Sequence, residues 1–239
     1  MQDFIERLHA ATPRVWVTWT LIGLNVAVFM IATLLGVSPI APRSVDLLAL
    51  GGNFLPATLV EPWRLFSAMF LHAGILHIGF NLWALRDMGG IAERFYGHQQ
   101  FLLIYLFAGL FGSLASLFFS ASQAVSVGAS GAIFGVAGAI LAAIFTKHEK
   151  LPPALVGRMR TSMLVFVGYS LFMGFTVSFI DNSAHIGGLV SGFMLAWIMA
   201  ERFDWEQYRR QGLMRALLAC GLALGAAGLM WSMVPVPGR

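Results

Sequence analysis

A single serine hydroxyl lies among glycines and apolar residues in the segment SVGASGAIFG, residues 126–135. Ser130 stands where one apolar helix is predicted to begin, and His185 stands near the beginning of another. A serine hydroxyl that loses its proton to an imidazole becomes a nucleophile for a carbonyl carbon. These residue types therefore allow acyl-transfer chemistry, provided that their helices bring them together.

Acyl transfer also needs hydrogen-bond donors for the oxyanion of its intermediate. His77 and Asn81 are four residues apart and share one face of a predicted helix, so both side chains can address one point. Ser130 begins its helix, where unpaired backbone N–H groups and the positive end of the helix dipole are concentrated. The sequence thus supplies a nucleophile, a base and oxyanion donors.

The elements that must position these residues are membrane helices. The chain has 239 residues, of which 58% are hydrophobic and only 11% charged, whereas soluble domains have about 25% charged residues. Mean hydropathy is +0.78. Because lipid cannot satisfy free backbone groups, the spans must be helical, and we expect one all-α polytopic membrane domain. Seven stretches are long enough to cross a hydrocarbon core of about 30 Å: residues 15–37, 73–92, 99–120, 130–146, 161–180, 184–200 and 213–234.

The distribution of Lys and Arg predicts the orientation of these spans. With the N-terminus inside, 12 of the 15 basic residues lie on the inner side. The N-terminus is therefore expected in the cytoplasm and, after seven spans, the C-terminus outside. The same bias accounts for the net charge of +4, which gives no reason to expect a nucleic-acid partner. The first span is too long for a signal peptide and is expected to stay as an anchor.

The predicted topology places the polar groups at one depth. Spans two, four and six all run from outside to inside, so His77, Ser130 and His185 lie near the outer ends of three helices. Small residues follow each site residue at helical spacing, including Gly138 on span four and Gly188 on span six. Small residues let membrane helices approach closely. We therefore expect Ser130 and His185 to come within reach of each other.

Other interpretations of the same residues stay open. Ser130 in a Gly-x-Ser-Gly segment is also compatible with ordinary helix packing. The histidines can serve as structural hydrogen bonders, as a proton relay of a transporter or channel, or, with His72, as a three-His zinc site. Asp181, four residues before His185, is a candidate third member of a triad. The apolar outer segment 38–72 is either a gate or a loop packed on the bundle.

Three motifs in this order resemble the rhomboid family of intramembrane serine proteases. They are HAGILHIGFN (72–81), GASG (128–131) and AHIGGLVSG (184–192), and Trp63-Arg64 precedes them. The segment MGGIAERFYG (88–97) is similar to the end of the family's second span. The resemblance covers about residues 13–201, and it implies a six-helix core to which a seventh C-terminal transmembrane helix is added.

The resemblance also implies the roles of the site residues. Ser130 is then the nucleophile and His185 the general base of a dyad without an acid, and His77, Asn81 and the Ser130 backbone N–H form the oxyanion hole. Neither a cofactor nor a metal is implied. Phe134 stands where the family often has tyrosine, and it keeps the stacking on the histidine. The supporting positions are His72, Trp63, Arg64, Gly128, Gly131, Gly188 and Phe134.

The expected organisation has three parts: a short cytoplasmic segment (1–14), the six-helix core (15–201), and a charged connection with the last span (202–239). The expected activity is endoproteolysis of transmembrane segments near their outer end, so the partners are such substrates and the lipid bilayer. The alternative is an inactive rhomboid-like protein that binds transmembrane helices. The expected location is a plasma or bacterial inner membrane. The oligomeric state is not predicted.

Overall fold

The computed structural model describes residues 1–119, 124–177 and 180–235, and this part of the chain is helical. The helices are α1 (Gln2–Ala11), α2 (Trp16–Leu34), α3 (Ser44–Ala49), α4 (Leu55–Val60), α5 (Arg64–Ser67), α6 (Ile75–Ala84), α7 (Gly90–Phe119), α8 (Ser130–Thr146), α9 (Pro153–Thr176), α10 (Asn182–Ile198) and α11 (Trp205–Ser232). A π-helical turn, Leu85–Gly89, joins α6 to α7.

The helices form the predicted bundle of membrane spans. Three helical stretches, Trp16–Leu34, Ile75–Phe119 and Trp205–Ser232, are long and apolar enough to cross a membrane, and α8 is a shorter apolar helix. The stretch Ile75–Phe119 supplies two spans because the backbone turns at Gly97, where φ is 74°. With α8, α9 and α10 these helices confirm an all-α fold with a six-helix core and a seventh C-terminal helix.

Two predicted boundaries differ from the structure. Spans two and three were expected to be separated by a loop, but the backbone turns at one residue, Gly97, which has a positive φ. The fifth span was expected to begin at residue 161, but α9 begins at Pro153. Proline fits the first turn of a helix because its missing N–H would be unpaired there in any case. The proline pair therefore ends the preceding loop and starts the helix.

Helix α8 lies at the centre of the bundle, and residues 131–144 on it are all buried. It contacts α10 and α7 most closely. A Cβ added to Gly188 would overlap the carbonyl oxygen of Gly131, and one added to Gly192 would overlap that of Gly135. The backbones of α8 and α10 therefore touch directly, as the small residues of the two helices predict.

The end of the bundle opposite Ser130 is organised by a fully buried carboxylate. Glu93 accepts hydrogen bonds from the backbone N–H of Val17 (3.0 Å) and of Thr18 (2.8 Å), and from the Thr18 hydroxyl (2.6 Å). His98 Nδ1 lies 2.5 Å from Oε1 of Glu93, the oxygen that also accepts from the Val17 N–H. A carboxylate at this position caps the N-terminus of α2 and favours its dipole. Glu93 thereby ties the first span to α7.

The outer segment 38–72 is folded and held together by one arginine. Arg64 donates to the carbonyl oxygens of Leu48 (2.6 Å) and Gly52 (3.3 Å) and forms an ion pair with Glu61. Its guanidinium also lies over the Trp63 ring, 4.9 Å from the centroid. The Trp63-Arg64 pair thus connects α3, α4 and α5 into one unit over the outer end of the bundle.

The seventh helix packs by its small side chains. One face of α11 is buried and consists of Gly212, Ala216, Ala219, Ala223 and Ala227. Its outer end joins a cluster with Leu114 and Leu117 of α7, and Leu55 of α4 packs against the same cluster. The last span therefore contacts both the core and the outer segment.

Substitution of Gly192 tests the backbone contact between α8 and α10. Gly192→Ala is expected to lower the free energy of unfolding by about 1–3 kcal/mol, because the methyl group has no space. Gly225→Ala is the matched control, since no atom lies within 4 Å of its added Cβ. Thermal or denaturant unfolding of the purified protein in detergent measures both. Equal stability of the two variants would contradict the close contact.

Candidate active site

A cavity of about 800 Å³ opens among α6, α8, α9 and α10. It brings together most of the residues predicted from the motifs. Those that line it are Ser130, His185, His77, Asn81, Phe134, Gly128 and Gly131. The remaining predicted residues, His72, Trp63, Arg64 and Gly188, lie in the surrounding structure and not in the cavity wall. Three helices therefore supply polar groups to one cavity.

Ser130 is the first residue of α8 and is half-buried in the cavity wall. The turn before it depends on Gly128, whose φ of 128° is unfavourable for any residue with a side chain. No side chain among the described residues caps the N-terminus of α8. The first-turn N–H groups and the positive end of the helix dipole therefore remain available to a negative charge in the cavity.

His185 is buried, and its ring is held by stacking. The Phe134 ring lies parallel to it, with centroids 4.1 Å apart and an interplanar angle of 9°. The Nδ1 atom of His185 is buried and has no hydrogen-bond partner in the described part of the chain. Asp181 instead caps α10 by accepting from the Ala184 N–H at 3.1 Å. No hydrogen bond between Asp181 and His185 therefore supports the triad interpretation.

Ser130 and His185 face the same cavity without a direct hydrogen bond. Within the described residues, the hydroxyl of Ser130 makes no hydrogen bond to the His185 ring. The contact of Gly131 with Gly188 nonetheless holds the outer ends of α8 and α10 together. Catalytic hydrogen bonds are often long in proteins without substrate and shorten when the substrate binds. Both side chains therefore line one cavity at the same end of two packed helices.

The hydrogen bonds of His77 determine which ring nitrogen carries its proton. The backbone N–H of Ala73 donates to Nδ1 of His77 at 3.2 Å. Because Nδ1 accepts, the neutral ring carries its proton on Nε2. A Cβ added to Gly128 would lie 2.9 Å from this Nε2 and 3.7 Å from Ser130 Oγ. The Nε2–H donor and the serine hydroxyl therefore border the same glycine.

Asn81 supplies a second side-chain donor. One N–H of its amide donates to the His77 carbonyl oxygen at 2.9 Å, which orients the side chain along α6. An amide nitrogen has two protons, so the other remains for the cavity that Asn81 lines. His77 and Asn81 thus present two donors from adjacent turns of one helix.

His72 lies behind the site and supports it. Its ring meets that of His77 edge-on, with centroids 5.3 Å apart, and its Nδ1 lies 3.3 Å from the Phe70 carbonyl oxygen. Among the residues that the structure describes, no three His, Cys, Asp or Glu side chains are grouped as a metal site. The ring of His72 therefore packs behind that of His77, outside the cavity lining.

The structure adds a residue that the motifs do not indicate. Asn53 of the outer segment exchanges two backbone hydrogen bonds with Ser126, at 3.0 and 2.8 Å. Its side chain donates to the Ser113 carbonyl oxygen (2.9 Å) and accepts from the Thr58 hydroxyl (2.9 Å). Asn53 therefore anchors the strand-like segment that ends at Gly128. A single Asn in an apolar loop offers no spacing signal by which this role could be predicted.

Comparison with known proteins decides the family. The chain matches the family model described as the rhomboid domain over residues 60–202, a range that holds every motif residue and all the residues that line the cavity except Ile40. The chain belongs to the rhomboid family. Family membership and the apolar helices together make this rhomboid an integral membrane protein.

The relatives of this rhomboid include a protein named as a protease. This chain is 44% identical over 165 residues to the rhomboid protease GluP of Bacillus subtilis, and the match covers 69% of this chain and 31% of the relative. It is 38% identical over 151 residues to RHOMBOID-like protein 6, mitochondrial, of Arabidopsis thaliana, covering 62% and 48%. The chain therefore spans about a third to a half of the length of these relatives.

Removal of the Asn53 side chain tests its role as an anchor of this rhomboid site. Asn53→Ala is expected to speed amide hydrogen exchange at Ser126 and Gly128 by about 30-fold, because two side-chain hydrogen bonds of about 1 kcal/mol each are lost. Asn25→Ala is the control, since Asn25 is equally buried but bonds within α2. Unchanged exchange at Ser126 and Gly128 would show that the anchor lies elsewhere.

Proposed function

We propose that this protein is an intramembrane serine endopeptidase that cleaves transmembrane segments of other membrane proteins near their outer end. The observation that carries the proposal is the cavity, because Ser130, His185 and the donors of His77 and Asn81 all reach it. A histidine and a serine at the wall of one space, with donors beside the serine, suit acyl transfer.

The proposed reaction has two halves. In the first, His185 accepts the Ser130 proton while Oγ attacks the scissile carbonyl carbon, and the proton then passes to the leaving amine. In the second, water attacks the acyl-enzyme ester and His185 again serves as base. The Phe134 ring holds the imidazole in position during both halves. No acidic residue and no metal takes part.

Three donors stabilise the oxyanion in this proposal. They are His77 Nε2–H, the free amide proton of Asn81 and the backbone N–H of Ser130. The hydrogen bond from Ala73 keeps the His77 proton on the side of the ring that faces the site. Preorganised donors of this kind typically contribute about 10²- to 10³-fold to the rate each.

The shape of the cavity favours an extended substrate that enters from the lipid. A helical carbonyl is already hydrogen-bonded within its helix, so the scissile segment must unwind. Gly or Pro and a small residue before the scissile bond therefore favour cleavage. Phe80 of α6 and Phe166 of α9 line the cavity, and only Met159 and Met163 of α9 are buried. We propose lateral access between these two helices, beneath the outer segment.

We further propose the predicted organisation and orientation: a cytoplasmic segment (1–14), a six-helix core (15–201), and a connection with the last span (202–239). The excess of Lys and Arg at the end opposite Ser130 supports a cytoplasmic N-terminus and an outer C-terminus. A plasma or bacterial inner membrane has this polarity.

The orientation predicts the accessibility of the two termini. A tag after residue 239 is expected to be digested by protease added to intact cells or spheroplasts, whereas a tag before residue 1 is expected to be protected until the membrane is permeabilised. A cytoplasmic marker protein reports membrane integrity. Protection of the C-terminal tag, with digestion of the N-terminal tag, would reverse the proposed orientation.

A second function has one observation in its favour. An inactive rhomboid-like protein that binds transmembrane helices would keep the cavity but need no Ser130–His185 hydrogen bond, and none is formed between these described residues. Both functions use the same opening. They differ in whether Ser130 is reactive.

Labelling with a fluorophosphonate serine-hydrolase probe distinguishes the two functions. The purified protein is expected to take the label, and Ser130→Ala and His185→Ala are expected to abolish it, because the first removes the nucleophile and the second its base. His77→Ala is expected to slow labelling by about 10- to 1,000-fold through loss of an oxyanion donor.

Matched controls separate reactivity from folding. Ser191→Ala removes another serine hydroxyl, one that bonds within α10 at 2.7 Å, and His148→Ala removes an exposed histidine. Both controls are expected to label like the wild type. Labelling of the Ser130→Ala protein, or no labelling of a folded wild type in lipid beside a reactive hydrolase, would contradict the proposed protease.

A further inference from the structure

A second serine, Ser170 of α9, lines the same cavity as Ser130. Phe134 and Phe166 are in contact, with ring centroids 5.4 Å apart, and they link α8 to α9. Ser130 lies four residues before Phe134 on a helix that runs inward, and Ser170 lies four residues after Phe166 on a helix that runs outward. Four residues of helix span about 6 Å. Both serines therefore lie about 6 Å further out than the contact between the two phenylalanines, at the same level.

A hydrogen bond next to Ser170 fixes its height. The side-chain N–H of Asn182, in the first turn of α10, donates to the Leu171 carbonyl oxygen at 3.0 Å. Asn182 lies one turn above His185, so the segment of α9 that bears Ser170 is joined to the outer end of the helix that bears His185. Ser170 itself lines the cavity.

The hydroxyl of Ser170 is not used within the described protein. Other hydroxyls on these helices donate to the carbonyl oxygen four residues earlier, as Thr146 does to Ala142 (2.7 Å) and Ser191 does to Gly187 (2.7 Å). Such back-bonding is the usual state of serine and threonine in a helix. Ser170 makes no such bond among the described residues, although it lines the cavity together with its neighbour Tyr169.

We propose that Ser170 is a substrate-positioning residue that hydrogen-bonds the unwound backbone of the transmembrane segment in the cavity. This inference rests on the proposed function. Successive peptide groups of an extended chain point to opposite sides. When the scissile carbonyl points at His77 and Ser130, the neighbouring peptide groups point at α9.

An unwound segment at membrane depth needs such a partner. Each peptide group that leaves its helix loses a hydrogen bond that lipid cannot replace. The Ser170 hydroxyl can donate to a carbonyl or accept from an N–H, so it binds the peptide backbone of the substrate and not a side chain. It thus favours any segment that unwinds at this level, whatever its sequence.

Ser170→Ala, Ser170→Thr and Ser162→Ala test this role. Ser162 is an exposed serine of α9 outside the cavity lining. The substrate is a synthetic leucine-rich transmembrane peptide with an Ala-Gly-Gly-Pro segment near its outer end, reconstituted with each protein. Cleavage kinetics are measured beside fluorophosphonate labelling, which needs Ser130 and His185 but offers no extended peptide backbone.

Ser170→Ala is expected to lower kcat/KM for the peptide by about 3- to 10-fold, the effect of one hydrogen bond, mainly through a higher KM. Its labelling rate is expected to stay within about twofold of the wild type. Ser170→Thr retains a hydroxyl and is expected to restore cleavage, and Ser162→Ala is expected to cleave like the wild type.

Wild-type cleavage by Ser170→Ala would overturn the inference while leaving the protease intact. Parallel loss of labelling and cleavage in Ser170→Ala would indicate a structural role and would also overturn it. A wild type that takes no label would contradict the proposed function itself, and the inference with it.

Discussion

The direct contact between the backbones of α8 and α10 is the constraint on which the rest of the structure depends. Gly131 and Gly135 on one helix meet Gly188 and Gly192 on the other, with no room for a single methyl group between them. Membrane helices associate mainly by such packing, because lipid is as apolar as their side chains. This contact determines how Ser130 and His185 lie relative to each other, and reacting groups tolerate displacements of less than about 1 Å.

The polar groups of the cavity follow from that central contact. Helix α8 is buried along residues 131–144, and it meets the cavity only at its beginning, residues 130–134. This part includes the first turn, whose backbone N–H groups are unpaired. The surrounding elements orient the remaining groups toward it. The Ala73 N–H directs the His77 proton, Phe134 holds the His185 ring, and Asn53 anchors the segment before Gly128.

Polar groups at the outer and inner ends of the bundle have different surroundings. At the inner end, the carboxylate of Glu93 is satisfied by backbone and side-chain donors from the first span and by His98. At the outer end, hydroxyl, imidazole and amide groups face an open space with unused hydrogen-bonding capacity. Polar groups are costly at membrane depth, so several of them facing one cavity indicate a site for another molecule.

The site residues were predictable where their signal is local. The four-residue spacing of His77 and Asn81, and the small residues after Ser130 and His185, follow from helix geometry alone. Gly97 and Asn53 were not predictable in the same way. A positive φ at one glycine makes the turn between two spans, and the partners of Asn53 lie 60 and 73 residues away in sequence, at Ser113 and Ser126. The Pro152-Pro153 pair, by contrast, is a local signal of a helix boundary, and α9 begins at Pro153. Ser170 was not predicted either. It stands out only because its hydroxyl makes no hydrogen bond among the described residues, and the sequence alone does not show this.

The structure of the protein after reaction with a fluorophosphonate tests the central claim most directly. The account predicts a phosphorus atom bonded to Ser130 Oγ. It also predicts a phosphonyl oxygen within about 2.7–3.1 Å of His77 Nε2 and the Ser130 backbone nitrogen, the range of oxyanion hydrogen bonds. A label on another residue, or a phosphonyl oxygen turned away from His77 and the first turn of α8, would contradict it.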